Sequence, residues 1–204
     1  MISTDPHPIR VVIADDHVLY RKSLQLVITL DRDIEVVAVA ADGQEALEQV
    51  LRWRPDVLVL DLRMPKLSGL EAIRAISQRS PTTRVLMLTM PEDPDSAVAA
   101  LLAGAAGYVT KDATGEQVAE AIRELHRGVN QLAPTAAATL LDRVSRTASD
   151  DDPNVHLERR ILHLLAGGED LSVVATAVGL SEDDVRHRIA DLLTRLRAVA
   201  SGSP

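Results

Sequence analysis

Between Ile9 and Gly128, short runs of β-branched and aliphatic residues alternate with longer amphipathic stretches, and this alternation limits the fold more than any other feature of the 204-residue chain. The apolar runs fall at residues 10–14, 35–40, 56–60, 84–88 and 107–109 and read as strands. The stretches between them carry apolar residues at helical spacing; in the last, 115–126, Val118, Ile122 and Leu125 mark one face. A run such as Asp56-Val57-Leu58-Val59-Leu60 has no polar alternation, so both of its faces must be covered. Five such strands alternating with five helices predict an α/β fold, a doubly wound five-stranded parallel sheet.

The pattern changes after residue 128. Pro134 opens an Ala- and Leu-rich helix ending near Val144, as proline favours the first helical turn. Residues 145–154 are polar, acidic and without periodicity, which makes 129–154 a linker helix plus an acidic linker. Three short helical patterns follow in 155–204. Leu157, Ile161, Leu164 and Leu165 share one face of the first, and Leu171, Val174, Ala175 and Val178 one face of the second. Gly179 supplies a turn, Ser181 an N-cap, and Val185, Ile189, Leu192, Leu193 and Leu196 line the third helix. Two helices joined at a tight glycine turn are the pattern of a helix-turn-helix, so 155–204 reads as a small all-α domain.

Aromatic residues make up 1% of the chain against 46% apolar residues overall, so the cores must be filled by Leu, Val, Ile and Ala. The absence of cysteine excludes disulfides and thiolate metal sites. No apolar stretch reaches the ~18 residues of a membrane span and no secretory leader pattern opens the chain, so a soluble, cytoplasmic protein with no membrane partner is expected. A net charge of −8 argues against non-specific nucleic-acid affinity for the whole chain.

The chemistry sits where the predicted strands end. Asp15 and Asp16 follow the first, Asp61 the third, Thr89 the fourth and Lys111 the fifth. Open parallel sheets place their sites at that edge. Three converging carboxylates repel unless a cation neutralises them, and oxygen ligands of this kind suit a hard divalent ion, best Mg²⁺. Such a pocket can orient a phosphoryl group for in-line attack by Asp61, with Lys111 as a point charge and Thr89 as a hydroxyl donor, giving an aspartyl phosphate. His17 reads as a surface or capping residue, and the other histidines have no metal spacing. A phosphate-ester hydrolase using Asp61 is disfavoured, because no general-acid motif follows it. Self-phosphorylation and autodephosphorylation are then the only reactions expected.

Ile13-Ala14-Asp15-Asp16-His17, Val59-Leu60-Asp61-Leu62-Arg63-Met64-Pro65, Leu88-Thr89 and the run from Ala103 through Tyr108 to Lys111-Asp112 resemble the receiver domain of two-component response regulators. With Leu132-Ala133-Pro134, the wording is most similar to the NarL/FixJ subfamily. The resemblance implies a flavodoxin-like receiver over 1–128 in which Asp61 accepts phosphate from a sensor histidine kinase. It further implies that Asp15, Asp16, Asp61 and the Arg63 backbone carbonyl hold Mg²⁺. Thr89 and Tyr108 match the positions that switch on phosphorylation, where a new dianion recruits donors.

Leu157-Glu158-Arg159-Arg160-Ile161-Leu162, Val178-Gly179-Leu180-Ser181 and Val185-Arg186 resemble the LuxR-type helix-turn-helix. That implies promoter DNA binding, with a possible homodimer, through a recognition helix from about Glu182 to Leu196 whose candidate contacts are Arg186, His187 and Arg188. The sequence departs from the family here. Glu182-Asp183-Asp184 opens the recognition helix with acids, sound against the helix dipole but wrong for phosphates. From Asp151 onward nine acids face six bases, a net charge of −3. The family's fourth helix also has only Ala200-Ser201-Gly202-Ser203-Pro204 to draw on. A phosphorylation-gated protein-interaction regulator with a non-DNA-binding second domain is therefore the alternative.

Overall fold

The computed structural model describes residues 7–90, 94–127, 134–147 and 153–200. Gly128, Leu132, Ala133, the acidic stretch 148–152 and the tail 201–204 lie outside them. By internal contacts the chain divides into two compact units, Met1–Pro91 with Ala103–Gln131, and Glu92–Leu102 with Leu132–Pro204.

The first unit is the expected parallel sheet. In chain order the elements through residue 126 are β1 (Ile9–Ala14), α1 (Val18–Thr29), β2 (Ile34–Ala40), α2 (Gly43–Trp53), β3 (Val57–Asp61), α3 (Gly69–Arg79), β4 (Arg84–Thr89), α4 (Pro94–Ala103), β5 (Gly107–Thr110) and α5 (Gly115–His126), of which α4 falls in the second unit. The strands order β2-β1-β3-β4-β5, every pair parallel. The order reverses at β1 and β3, which makes their C-terminal ends the topological switch point.

The strand ends differ slightly from the apolar runs. β3 takes in Asp61, and β4 and β5 end at Thr89 and Thr110, because the ladder pairs Asp61 with Leu88 and Thr89 with Thr110. Backbone pairing continues past the last apolar side chain, so Asp61 and Thr89 are held within the sheet itself, whereas Asp15 and Lys111 directly follow β1 and β5.

Successive residues of a strand face opposite sides. Val57 and Val59 join Val11, Ile13, Leu86 and Leu88 in a core closed by Leu24 and Ile28 of α1 and Val118, Ile122 and Leu125 of α5. Leu58 and Leu60, equally inaccessible, face the other side, where Ala46 and Val50 of α2 and Ile73 and Ile76 of α3 are also buried. Each such side chain contributes about 1.5–3 kcal/mol, which is why β3 tolerates no polar alternation.

Caps fix where helices begin. Asp42 accepts from the Glu45 N–H at the start of α2, and Ser68–Glu71 and Thr114–Gln117 form capping boxes on α3 and α5. Gly69 opens α3 against the strand end: a Cβ there would lie 2.6 Å from Leu62 Cα and 2.8 Å from the Asp61 carbonyl oxygen. The first turn of α3 can close on the residue after Asp61 only because position 69 has no side chain.

The second unit contains α4, α6 (Pro134–Thr147), α7 (Pro153–Ala166), α8 (Leu171–Val178) and α9 (Glu182–Ala200). Two elements outrun their sequence patterns. α6 continues three residues past Val144, with Val144 buried and Arg146 paired to Asp142 one turn back, and α7 starts at Pro153 inside the expected linker. α8 ends at Gly179, whose φ of 73° is the left-handed conformation glycine adopts without strain. α8, this turn and α9 form the expected helix-turn-helix, packed through Val174, Ala175, Val185, Ile189, Leu192 and Leu193 together with Ile161 and Leu162 of α7. Helix α4 groups with these helices, and the Arg197 guanidinium donates to the Leu101 carbonyl at its C-terminal end.

Candidate phosphoacceptor site

Asp15 leaves β1 fully buried, and its conformation is set locally. Its N–H donates to the Ala40 carbonyl, its Oδ1 accepts the His17 N–H at 2.7 Å, and its carbonyl accepts from the Arg21 guanidinium. Asp61, 3% exposed, ends β3, and its Oδ1 accepts the Arg63 N–H at 3.3 Å. Lys111, directly after β5, places its ammonium 2.7 Å from Asp61 Oδ2 and 2.7 Å from Asp15 Oδ2. Three residues 46 and 50 positions apart in the chain thus meet at one point of the sheet edge.

The electrostatics follow from that geometry. Burial pushes the Asp61 carboxyl above its ordinary range, the Lys111 ammonium opposes the rise, and the Asp15 charge adds to it. For Lys111 burial is the largest single influence and acts downward, yet its bonds to Asp15 and Asp61 outweigh it and the ammonium titrates above its usual value. The lysine therefore keeps its charge and stabilises a carboxylate in a site that alone would disfavour one.

Asp15, Asp16, His17 and Asp61 each offer a ligand atom within 4.8 Å of the others. Asp15 Oδ2 and Asp16 Oδ1 are shielded from solvent, the first paired to the Lys111 ammonium and the second beside His17 Nδ1. Three carboxylates in so tight a cluster carry more negative charge than one ammonium balances, so the acidic pocket fits a divalent metal. His17 caps α1 by position, with no side-chain capping bond, and turns its Nδ1 to 2.8 Å from Asp16 Oδ1.

Tyr108 is buried on β5 opposite Met87. Thr89 closes β4 beside Thr110; its side chain is outside the described residues. Two neighbours of the pocket were not legible in the motifs. Tyr20, on the first turns of α1, holds its ring centroid 5.1 Å from Lys111 Nζ, and Arg21 binds the Asp15 carbonyl. Their only sequence signal is that the helix begins directly after the acidic pair.

In the second unit the three candidate DNA contacts are successive residues of α9. Consecutive helical residues point about 100° apart, so Arg186 and Arg188 lie about 160° apart around the helix with His187 between them. Arg186 is clamped to Asp183 at 2.6 Å and Glu182 at 2.7 Å, His187 Nδ1 lies 2.7 Å from the Asp183 carbonyl, and Arg188 donates to Asn154 on α7. Ser181 and Asp184 form a reciprocal cap, the Asp184 N–H donating to Ser181 Oγ and the Ser181 N–H to Asp184 Oδ2. Asp183 and Asp184 thus do different work: one neutralises an arginine, the other starts the helix.

Residues 11–123 match the model of the response regulator receiver domain. The chain belongs to the response regulators of two-component systems. This response regulator is 36% identical over 197 residues to the oxygen regulatory protein NreC of Staphylococcus epidermidis, covering 92% of the chain and 90% of that protein. It is 35% identical over 191 residues to the DNA-binding transcriptional activator DevR/DosR of Mycobacterium tuberculosis, covering 92% and 88%. Among solved structures it is similar to a LuxR-family two-component response regulator from Aurantimonas sp., at 33% identity and a TM-score of 0.61, over 67% of this chain and 97% of that one. The response regulator is of the NarL/FixJ type, and its function is phosphorylation-dependent regulation of transcription. Among the described residues no helix is long and apolar enough to cross a membrane.

Proposed function

We propose that Asp61 accepts a phosphoryl group from a sensor histidine kinase in the cytoplasm and that the resulting aspartyl phosphate gates promoter binding by the C-terminal helix-turn-helix. The observation that carries the first half is the Lys111 ammonium seated 2.7 Å from both Asp15 and Asp61 at the switch point of the sheet. A carboxylate oxygen of Asp61 attacks phosphorus, forming the O–P bond as the N–P bond of the donor phosphohistidine breaks and its electron pair returns to the imidazole. The Arg63 N–H orients the carboxylate during attack, and the Lys111 ammonium shifts its hydrogen bond from Asp61 to a phosphoryl oxygen. Asp15, Asp16, Asp61 and the Arg63 carbonyl would hold Mg²⁺, which would supply the charge neutralisation that two meeting anions need.

After transfer, Thr89 donates its hydroxyl to the phosphate and Tyr108 holds an inward position behind it, the two forming the switch. The protein then turns over no separate substrate and loses the phosphate by hydrolysis. Promoter DNA is met by α9 of a homodimer, with Arg186, His187 and Arg188 as contacts. The clamping of Arg186 by Glu182 and Asp183 favours a second reading, in which the effector domain binds protein instead. Incubation with acetyl phosphate and Mg²⁺ tests the phosphoacceptor: an alkali-labile adduct is expected on the wild type and absent in Asp61→Asn. Equal adduct on that variant overturns the assignment.

A further inference from the structure

Lys111 has a third neighbour that its acidic partners do not explain. The Lys111 side chain is 10% exposed, two sides of its ammonium face Asp15 and Asp61, and Tyr20 covers another with its ring centroid 5.1 Å away. Tyr20 is itself anchored: its ring is half-buried and packs on the cluster built from Leu24, Ile28, Val59 and Leu88. An ammonium over a tyrosine face is attracted by the ring quadrupole, and more strongly as water is excluded. The four-carbon stem of lysine is otherwise flexible, and holding it costs rotamer entropy that a rigid aromatic neighbour reduces.

We propose that Tyr20 is a positioning residue for phosphoryl transfer, its ring face holding the Lys111 ammonium between Asp15 and Asp61 where the incoming phosphoryl oxygens arrive. The inference rests on Asp61 being the phosphoacceptor. Tyr20 touches neither phosphoryl group nor metal; it acts through the lysine. The proposal assigns the effect to the ring, because it is the ring that lies over the ammonium. Without it the lysine samples geometries in which it is paired to one carboxylate and turned from the reacting atoms.

The test is the rate of labelling by acetyl phosphate with Mg²⁺ in the full chain, for Tyr20→Leu, Tyr20→Phe and both changes in a Lys111→Ala background. Tyr20→Leu keeps apolar volume and loses the face; labelling should slow about tenfold, as expected of a desolvated cation–π contact. Mg²⁺ affinity and the melting temperature should stay near wild type. Tyr20→Phe should restore the wild-type rate. In the Lys111→Ala background Tyr20→Leu should cause no further loss, the non-additivity expected when one residue acts through another. The proposal is overturned if Tyr20→Leu labels at the wild-type rate, if Tyr20→Phe is as slow as Tyr20→Leu, or if Tyr20→Leu costs the same tenfold without Lys111. Asp61→Asn in parallel separates the two readings, since label on that variant overturns the phosphoacceptor and not the ring contact.

Discussion

Release of Arg186 from its acidic clamp should convert a poor DNA-binding helix into a better one. The perturbation is the isosteric pair Glu182→Gln and Asp183→Asn. In the wild type both terminal nitrogens of Arg186 are engaged, at 2.6 and 2.7 Å, by carboxylates three and four residues earlier. Such i,i+3 and i,i+4 pairs on an exposed helix are worth about 0.3–0.5 kcal/mol each, and the two first-turn charges add about 0.3–1 kcal/mol each against the helix dipole, so losing both lowers stability by about 1–3 kcal/mol. The Ser181–Asp184 cap is untouched, and α9 should remain folded. Binding responds more strongly. One arginine freed for a phosphate steepens the slope of log K against log salt by about 0.9. Between about 50 and 200 mM salt the variant's advantage should therefore shrink about 3.5-fold. Fluorescence anisotropy with a random-sequence duplex at several salt concentrations reads both quantities. Parallel slopes for wild type and variant would refute the reasoning, because Arg186 would then not meet phosphate even when free.

Lys111→Ala and Thr89→Ala should bind Mg²⁺ normally yet fail to change assembly state on phosphorylation; metal titration and sizing chromatography check this, and wild-type oligomerisation of either variant removes that residue from the switch. Gly69→Ala should slow labelling by acetyl phosphate, since its Cβ would sit 2.6 Å from Leu62 Cα beside the phosphoacceptor; an unchanged rate shows that the turn gives way elsewhere. Arg123 binds Asp31, Asp33 and Glu120, and its hydrogen bond holds the Asp33 carboxyl below the usual range. A depressed carboxyl adds stability above its unfolded pKa and loses it as pH falls through the folded one. Arg123→Ala should thus cost about 1 kcal/mol at neutral pH, discounted for exposure, with the gap to wild type closing below about pH 4 in urea melts.

The sheet was legible because burial on both faces leaves an unbroken apolar run, as in β3, and the acidic pocket because each member stands at the end of such a run. What escaped was tertiary or electrostatic. The Tyr20–Lys111 contact joins residues 91 positions apart and leaves no pattern in either segment. The Arg186 clamp has i,i+3 and i,i+4 spacing in the sequence, but Glu182 and Asp183 suit the helix dipole equally well, so spacing alone does not show which partner they hold. The helices run into the polar stretch at both ends, because residues 145–147 and Pro153-Asn154 continue α6 and α7, whose buried faces lie a turn away. Helix α4 has apolar residues all round, Ala97, Val98, Ala100 and Leu101 being buried, and no polar face told which unit it joins.

The central claim is that phosphate on Asp61 controls occupancy of promoter DNA. A genome-wide DNA pull-down with the full-length protein, with and without acetyl phosphate and Mg²⁺, tests it most directly, with Asp61→Asn as the matched control. The account predicts discrete promoter fragments enriched by the phosphorylated wild type and by neither the untreated protein nor Asp61→Asn. Equal recovery by all three, or enrichment of no fragment by any, would contradict it.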